Sequence, residues 1–91
     1  MDEKIWKLIE KNPRGLELLV SWGISPISDE DIKLVENLAD VEKYLSESDT
    51  VTAGKYFNRA CVLMQNNKLL REQSKDYLDT LRKEIYRIKQ I

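Results

Sequence analysis

Few side chains in this 91-residue sequence could carry out covalent chemistry. It contains no histidine, the commonest general base and a frequent metal ligand in proteins. Its one cysteine, Cys61, lies between Ala60 and Val62 on the apolar side of a predicted helix, where a thiol behaves as a small hydrophobic side chain. Because a serine or cysteine nucleophile needs a neighbouring base, we predict that the protein is not an enzyme.

The sequence also offers little for binding a metal ion or a phosphate group. Zinc sites are built from clusters of cysteine and histidine, and one cysteine without histidine does not suffice. Asp29, Asp31 and Glu36 lack the glycine and the spacing of a calcium-binding loop. Acids in this position instead favour the positive end of a helix dipole. The three glycines are isolated and form no phosphate-binding loop, so we predict no metal and no cofactor.

Charge is unevenly distributed along a chain whose formal net charge is only −1. Residues 28–49 carry eight acids and two bases, a net charge of −6, whereas residues 50–91 carry nine bases and four acids, a net charge of +5. The two segments could face each other within one bundle, or each could present a charged face to a different partner. The sequence leaves both alternatives open.

The last predicted helix is the candidate surface for nucleic acid or for an acidic protein. The contact residues predicted on it are Arg82, Lys83, Arg87 and Lys89. A basic helix face can neutralise phosphates, although the acids on the same helix favour a solvated face instead. A helix-turn-helix centred on Gly23–Pro26 is disfavoured, because its recognition helix would be acidic and repelled by phosphate.

Trp6 and Trp22 are the candidate residues for binding a protein partner. Tryptophan is enriched at the centres of interfaces. In a domain of this size, both rings could instead pack two short N-terminal helices against the rest of the chain. Self-association as a homo-oligomer is compatible with either alternative, through the apolar stripe Leu78, Leu81, Ile85 and Ile88.

Residues 40–64 resemble parts of two helical families. The features that carry the resemblance are Tyr44-Leu45 before a turn, Asp49 within it, and then Ala53, Tyr56, Phe57 and Ala60. They resemble the helix–turn–helix joint of tetratricopeptide repeats and the helix pair of the HEPN superfamily as seen in archaeal members. Ser48 stands where the repeat favours glycine, and no second copy is present. Arg59 matches the HEPN arginine, but Met64 and Gln65 stand where the catalytic histidine is expected.

This resemblance implies a helical scaffold for binding, because the catalytic half of a HEPN ribonuclease is missing. By analogy with small extra subunits of archaeal replication or transcription machines, we expect a non-catalytic accessory or adaptor subunit. It would dock on a larger protein partner such as a DNA polymerase or transcription complex, with nucleic acid contacted directly or through that partner. The alternatives are a small nucleic-acid-binding protein that uses the basic C-terminal helix, and a degenerate HEPN-like antitoxin or ribonuclease relative.

The elements that must position these residues are all predicted helices, since no segment shows the alternation typical of a strand. Asn12 with Pro13, and Ser28, are predicted to begin the second and third helices, and Gly23 to end the second. The predicted helices run from Asp2 to about Lys11, from Pro13 towards Gly23, from Asp29 to Leu45, and from a cap at Asp49 or Thr50. Asn66-Asn67 either interrupts this fourth helix or is crossed by it, and a long final helix follows.

The predicted fold is one all-α domain, a small antiparallel bundle of four to five helices with a short N-terminal helical hairpin. No stretch approaches the roughly 20 apolar residues of a membrane span, and no secretory signal is visible. A single cysteine suits a reducing compartment, so we expect a cytoplasmic protein without a membrane. Its content of lysine and glutamate is typical of thermophiles.

Overall fold

The computed structural model describes the backbone of residues 3–89 and the side chains of residues 3–87. Its helices are α1 (Glu3–Lys11), α2 (Pro13–Ser21), α3 (Asp29–Ser46), α4 (Thr50–Met64) and α5 (Lys68–Lys89). Residues 3–89 contain no strand, so the predicted all-α class is confirmed, with five helices. Asp2, the predicted first helical residue, and the side chain of Ile88 in the predicted apolar stripe lie outside the described residues.

α2 begins at the residues that the sequence predicts. The Asn12 side chain accepts a hydrogen bond of 3.0 Å from the backbone N–H of Gly15, and Pro13 occupies the first helical turn. The Asn12 amide also donates to the carbonyl of Val35 in α3, over 3.1 Å. One side chain therefore caps α2 and fixes its start against α3.

Side-chain caps also begin the longer helices. Ser28 and Asp31 form a capping box at the start of α3, in which each side chain accepts from the other's backbone N–H. Asp49 and Asn67 each accept a hydrogen bond from the backbone N–H three residues later, at the starts of α4 and α5. Asn67 therefore begins a new helix, and the Asn66-Asn67 pair interrupts the helical segment.

Two residues with left-handed backbone end α2 and α3. Gly23 has φ 72° and Ser48 has φ 59°. At both positions the N–H of this residue and that of the next residue bond back to carbonyls of the last helical turn, which is the Schellman pattern. Glycine adopts this conformation without strain, whereas the Cβ of serine crowds the backbone. The α3–α4 joint therefore holds a serine at a position that suits glycine.

α4 packs antiparallel to the helices on both sides of it. Tyr44 at the end of α3 stacks on Tyr56 near the start of α4, with ring centroids 5.6 Å apart. Ser74 near the start of α5 lies 3.5 Å from the sulfur of Met64, the last residue of α4. Burial of apolar side chains between the helices supplies the main stabilising free energy. The most deeply buried of these are Leu19, Leu34, Leu38, Val35, Val41, Met64 and Leu70.

Candidate docking groove between α4 and α5

A surface groove runs along the contact between α4 and α5. It consists of two cavities of about 460 Å³ and 310 Å³, and both are lined by Cys61 and Arg82. The floor is apolar, because Phe57, Leu78 and Ile85 line it together with the half-buried Cys61. We refer to these two neighbouring cavities together as the α4–α5 groove.

The charged side chains that line the α4–α5 groove are mostly basic. Arg71, Lys75 and Arg82 line it from α5 and Lys55 lines it from α4, against one acid, Asp79. An α-helix turns by about 100° per residue, so the three basic residues of α5 lie within about 40° of one another. α4 contains no acidic residue, and the groove therefore carries net positive charge.

Arg82 lies at the centre of the α4–α5 groove. Its guanidinium carbon is 5.8 Å from the centroid of the Phe57 ring, and its Nη1 is 3.5 Å from Oδ1 of Asp79. The Arg82 side chain is 54% exposed, so the ion pair with Asp79 contributes less than about 1 kcal/mol. One carboxylate contact leaves most of the five N–H donors of a guanidinium for a bound partner.

The thiol of Cys61 is part of the apolar floor. Burial raises the pKa of Cys61, and the positive charge of Arg82 lowers it by a smaller amount. The thiol is therefore neutral at pH 7 and packs as a small apolar group, as its position between Ala60 and Val62 predicts.

Gly54 lies at the mouth of the larger cavity, in the interior of α4. A Cβ added there would meet no atom within 4 Å. Gly15 of α2 differs, because a Cβ would come within 2.8 Å of the Val35 side chain and 2.5 Å of the Asn12 amide nitrogen. A glycine inside a helix costs about 1 kcal/mol relative to alanine. Close packing of α2 on α3 explains that cost at Gly15, and nothing in the described part of the fold explains it at Gly54.

The two tryptophans differ in exposure. Trp22 is only 6% exposed and packs edge-on against Tyr77, with ring centroids 5.8 Å apart. Trp22 is therefore part of the packed core, and its ring is not accessible to a partner. Trp6 is 51% exposed on α1, away from the α4–α5 groove. Its role as a partner anchor stays a prediction.

The basic residues predicted as a contact surface fall in different places. Arg82 lines the α4–α5 groove, whereas Lys83 and Arg87 are exposed and are not part of its lining. Arg87 lies 3.7 Å from Glu84 of the same helix. The side chain of Lys89 lies outside the described residues. Arg71 and Lys75 were missed as site residues, although their spacing of eleven and seven residues from Arg82 indicates a shared face.

The acidic and basic segments are not joined by ion pairs in the part of the chain that the structure describes. Acids of α3 pair with the N-terminal helices, Asp29 with Lys4 at 2.9 Å and Glu42 with Arg14 at 3.0 Å. The ion pairs of α5 lie within α5 itself. No ion pair therefore joins α3 to α5 among the described residues, and the basic face of α5 is not neutralised by α3.

Glu42 connects three helices through its side chain. Its carboxylate accepts two hydrogen bonds from Nε of Arg14 in α2, at 3.0 Å and 3.1 Å, and one of 2.6 Å from the hydroxyl of Tyr77 in α5. Burial, together with the hydrogen bond to Glu42, raises the pKa of Tyr77. The Tyr77 hydroxyl therefore stays protonated and acts as a donor, so this cluster ties α2, α3 and α5 together.

Within residues 3–89, no group of three or more acidic, cysteine or histidine side chains is placed to hold a metal ion. Asp31 accepts from the backbone of Ser28, and Asp29 pairs with Lys4. None of the described helices combines the length and the apolar character that crossing a membrane requires.

Comparison with known proteins identified no relative: no family model matches the chain, and no curated protein or solved structure does. The resemblance of residues 40–64 to tetratricopeptide repeats and HEPN proteins therefore stays a prediction. Arg59, the residue that matches the HEPN arginine, lies over the ring of Tyr56, with its guanidinium carbon 5.1 Å from the ring centroid.

Proposed function

We propose that the protein is a non-catalytic helical adaptor that binds a larger protein partner through the α4–α5 groove. The observation that supports this proposal best is the groove between two helices, where Cys61 and Leu78 remain only partly buried by the described residues. Apolar side chains continue onto the rim, where Val51 is 67% exposed and Tyr86 is 56% exposed. Exposed apolar surface in a groove with a polar rim is typical of a site that binds another protein.

The types of residue in the α4–α5 groove also favour a protein partner. Tyrosine, methionine and arginine are enriched in interfaces, and arginine and tyrosine are frequent among the residues that dominate binding energy. The groove combines the exposed Tyr86 and Arg82 with the half-buried thiol of Cys61. An arginine that lies over an aromatic ring, as Arg82 does over Phe57, is held in place before a partner arrives.

Nucleic-acid binding is the second candidate function, and the cluster of Arg71, Lys75 and Arg82 is the observation that favours it. Phosphates would neutralise these side chains. A phosphate backbone would, however, leave the apolar floor and Val51 uncovered. A docking protein satisfies both the charge and the apolar surface, and we therefore prefer it. The kind of machine that it serves, and a cytoplasmic location, rest on the analogy and the composition described above.

Site-specific photo-crosslinking tests the proposed docking. A photoreactive phenylalanine derivative replaces Tyr86 in the groove rim, and a matched variant carries it at Val20, which is 65% exposed on α2. We expect a discrete adduct with another protein from position 86 only. No adduct from position 86, or identical adducts from both positions, would contradict docking through the α4–α5 groove.

A further inference from the structure

We infer that the partner occupies the α4–α5 groove with an acidic amphipathic helix. Its apolar face would cover the partly buried Cys61 and Leu78 and the exposed Tyr86, and its carboxylates would face the basic residues of α5. This inference rests on the proposed function and specifies the chemistry of the segment that docks.

The shape of the α4–α5 groove fits a helix. α4 has 15 residues and is therefore about 22 Å long, at 1.5 Å per residue. Arg71 and Arg82 are about 16 Å apart along the axis of α5, which corresponds to three helical turns. A helix in a groove presents side chains on one face at intervals of three, four and seven residues, and Arg71, Lys75 and Arg82 are separated by four and by seven residues.

Charge determines which kind of helix fits. The lining of the α4–α5 groove has four basic side chains and one acidic one, and Asp79 is already paired with Arg82. A basic or neutral helix would leave these cations without partners, or would repel them. Carboxylates along the edge of an apolar stripe supply charge-assisted hydrogen bonds to Arg71 and Arg82, while the stripe covers the floor.

Gly54 provides an independent indication of a partner's backbone. The fold itself has room for a side chain at this position, yet the chain carries a glycine that weakens α4. A missing Cβ allows another backbone to approach closely. A helix that crosses α4 at Gly54 explains why the mouth of the groove is left open.

A second copy of this chain fits the α4–α5 groove poorly. Two such grooves facing each other would bring Arg71, Lys75 and Arg82 against the same cations. The acidic outer face of α3 carries charged residues, but no large apolar side chain of α3 is among the exposed ones in the described chain. α3 of a second copy could therefore supply carboxylates but not the apolar ridge that the floor requires.

Peptide binding to the full chain tests this inference. The probe is a helical peptide of about 15 residues with a leucine stripe flanked by glutamates. A scrambled peptide of equal composition and a peptide with lysine in place of glutamate are the controls. Titration is followed by fluorescence anisotropy and by protection of Cys61 from a maleimide. We expect the acidic amphipathic peptide to bind, to protect Cys61, and to bind at least about tenfold more tightly than either control.

Matched variants locate the binding surface. Arg71→Glu with Lys75→Glu alters the α4–α5 groove, whereas Lys83→Glu with Arg87→Glu makes the same change of charge outside it. We expect at least about a tenfold loss of affinity for the first pair and less than about threefold for the second. Gly54→Phe should also lower affinity at least about tenfold, with Gly54→Ala as the control for folding.

Four results would overturn the inference. Equal losses of peptide affinity for both charge-reversed pairs would show that the peptide is attracted by positive charge in general and not by the groove. Binding of a DNA or RNA oligonucleotide, without binding of the peptide, would assign the groove to nucleic acid. A dimer in sedimentation that is broken by Arg71→Glu with Lys75→Glu would assign it to a second copy. If crosslinking from position 86 succeeds but the acidic peptide does not bind, docking stands and the acidic helix is wrong.

Discussion

The α2–α3 contact and the α4–α5 groove contain similar residues in opposite situations. Each has a glycine inside a helix and an arginine beside a carboxylate. At the α2–α3 contact, the Val35 side chain lies within 2.8 Å of where a Cβ of residue 15 would be. Arg14 bonds to the carboxylate of Glu42, which also accepts a hydrogen bond from Tyr77. In the groove, Gly54 faces open space and Arg82 lies over Phe57 with a partly exposed acid beside it.

This comparison teaches which features the fold itself requires. At the α2–α3 contact, other residues of the same chain contact Gly15 and Arg14, so substituting either residue should lower the free energy of unfolding. In the α4–α5 groove, the described part of the fold does not require Gly54 or the exposed Arg82. Substituting either residue should therefore leave the free energy of unfolding equal or raise it. A residue that weakens the fold without a structural reason is a candidate for a role in binding. The predictions below test this difference.

Replacing the buried tryptophan should give the largest change in the free energy of unfolding. Trp22→Ala removes a buried ring that packs on Tyr77, and we expect it to lower the free energy of unfolding by about 3–5 kcal/mol. Trp6→Ala, at an exposed ring, should lower it by less than about 1 kcal/mol. Urea denaturation followed by circular dichroism measures both. Equal losses would mean that α1 is as tightly packed as α2, and would weaken the case for Trp6 as an anchor.

Gly15→Ala should be the next most destabilising change. The added methyl group would displace the Asn12 cap or separate α2 from Val35, and we expect a loss of about 1–3 kcal/mol. Chemical denaturation of the two proteins at one pH is sufficient to measure it. Because alanine is otherwise favoured in helices, an unchanged or raised stability would contradict the close approach of α2 and α3.

Gly54→Ala should change stability in the opposite direction. Nothing obstructs the methyl group, and alanine favours the helix, so we expect a gain of about 1 kcal/mol. The midpoint of thermal unfolding should rise accordingly. A loss of stability would show that the fold requires glycine at this position, and the difference between Gly15 and Gly54 would disappear.

The smallest effect concerns the caps of α2 and α4 and their dependence on pH. Asp49 caps α4, and the hydrogen bonds from Thr52 lower the pKa of its carboxyl below the usual 3.8. The stabilisation by this charged cap is therefore present above that pH and is lost as the pH falls through the lowered pKa. Asn12, which caps α2, has no such charge.

Asp49→Asn isolates this contribution because it keeps a capping side chain without the charge. The free energy of unfolding of the wild type, minus that of the variant, should shrink as the pH falls from neutral through the acid range. A difference that stays constant with pH would mean that the charge of Asp49 does not stabilise α4.

Local features of the fold were predictable from the sequence because they depend on neighbouring residues. Asn12 and Ser28 begin helices through side chains that accept from N–H groups three positions later, and Gly23 ends one through its own backbone. Asn66-Asn67 was ambiguous because asparagine is only moderately unfavourable in a helix. The structure shows the interruption through the Asn67 side chain, which accepts a hydrogen bond from the backbone N–H of Leu70 at the start of α5.

The α4–α5 groove was not predictable, because it depends on contacts between distant residues. Lys55 and Arg82 come together only when α5 packs on α4. The shared face of Arg71, Lys75 and Arg82 was visible in their spacing, but the acids between them masked it in the overall charge of the helix. Trp6 and Trp22 occur in short helices with similar patterns, and only the position of Tyr77 distinguishes the buried ring from the exposed one.

The cluster of Arg14, Glu42 and Tyr77 has a consequence for the order in which the chain folds. Its members are 28 and 35 residues apart, so the loops that it closes are long and their closure is entropically unfavourable. The α3–α4 hairpin closes over a short turn and can form early, since local contacts form fastest. Glu42 would then lie on a hairpin that is already folded, and α2 and α5 would be locked onto it together in the last step.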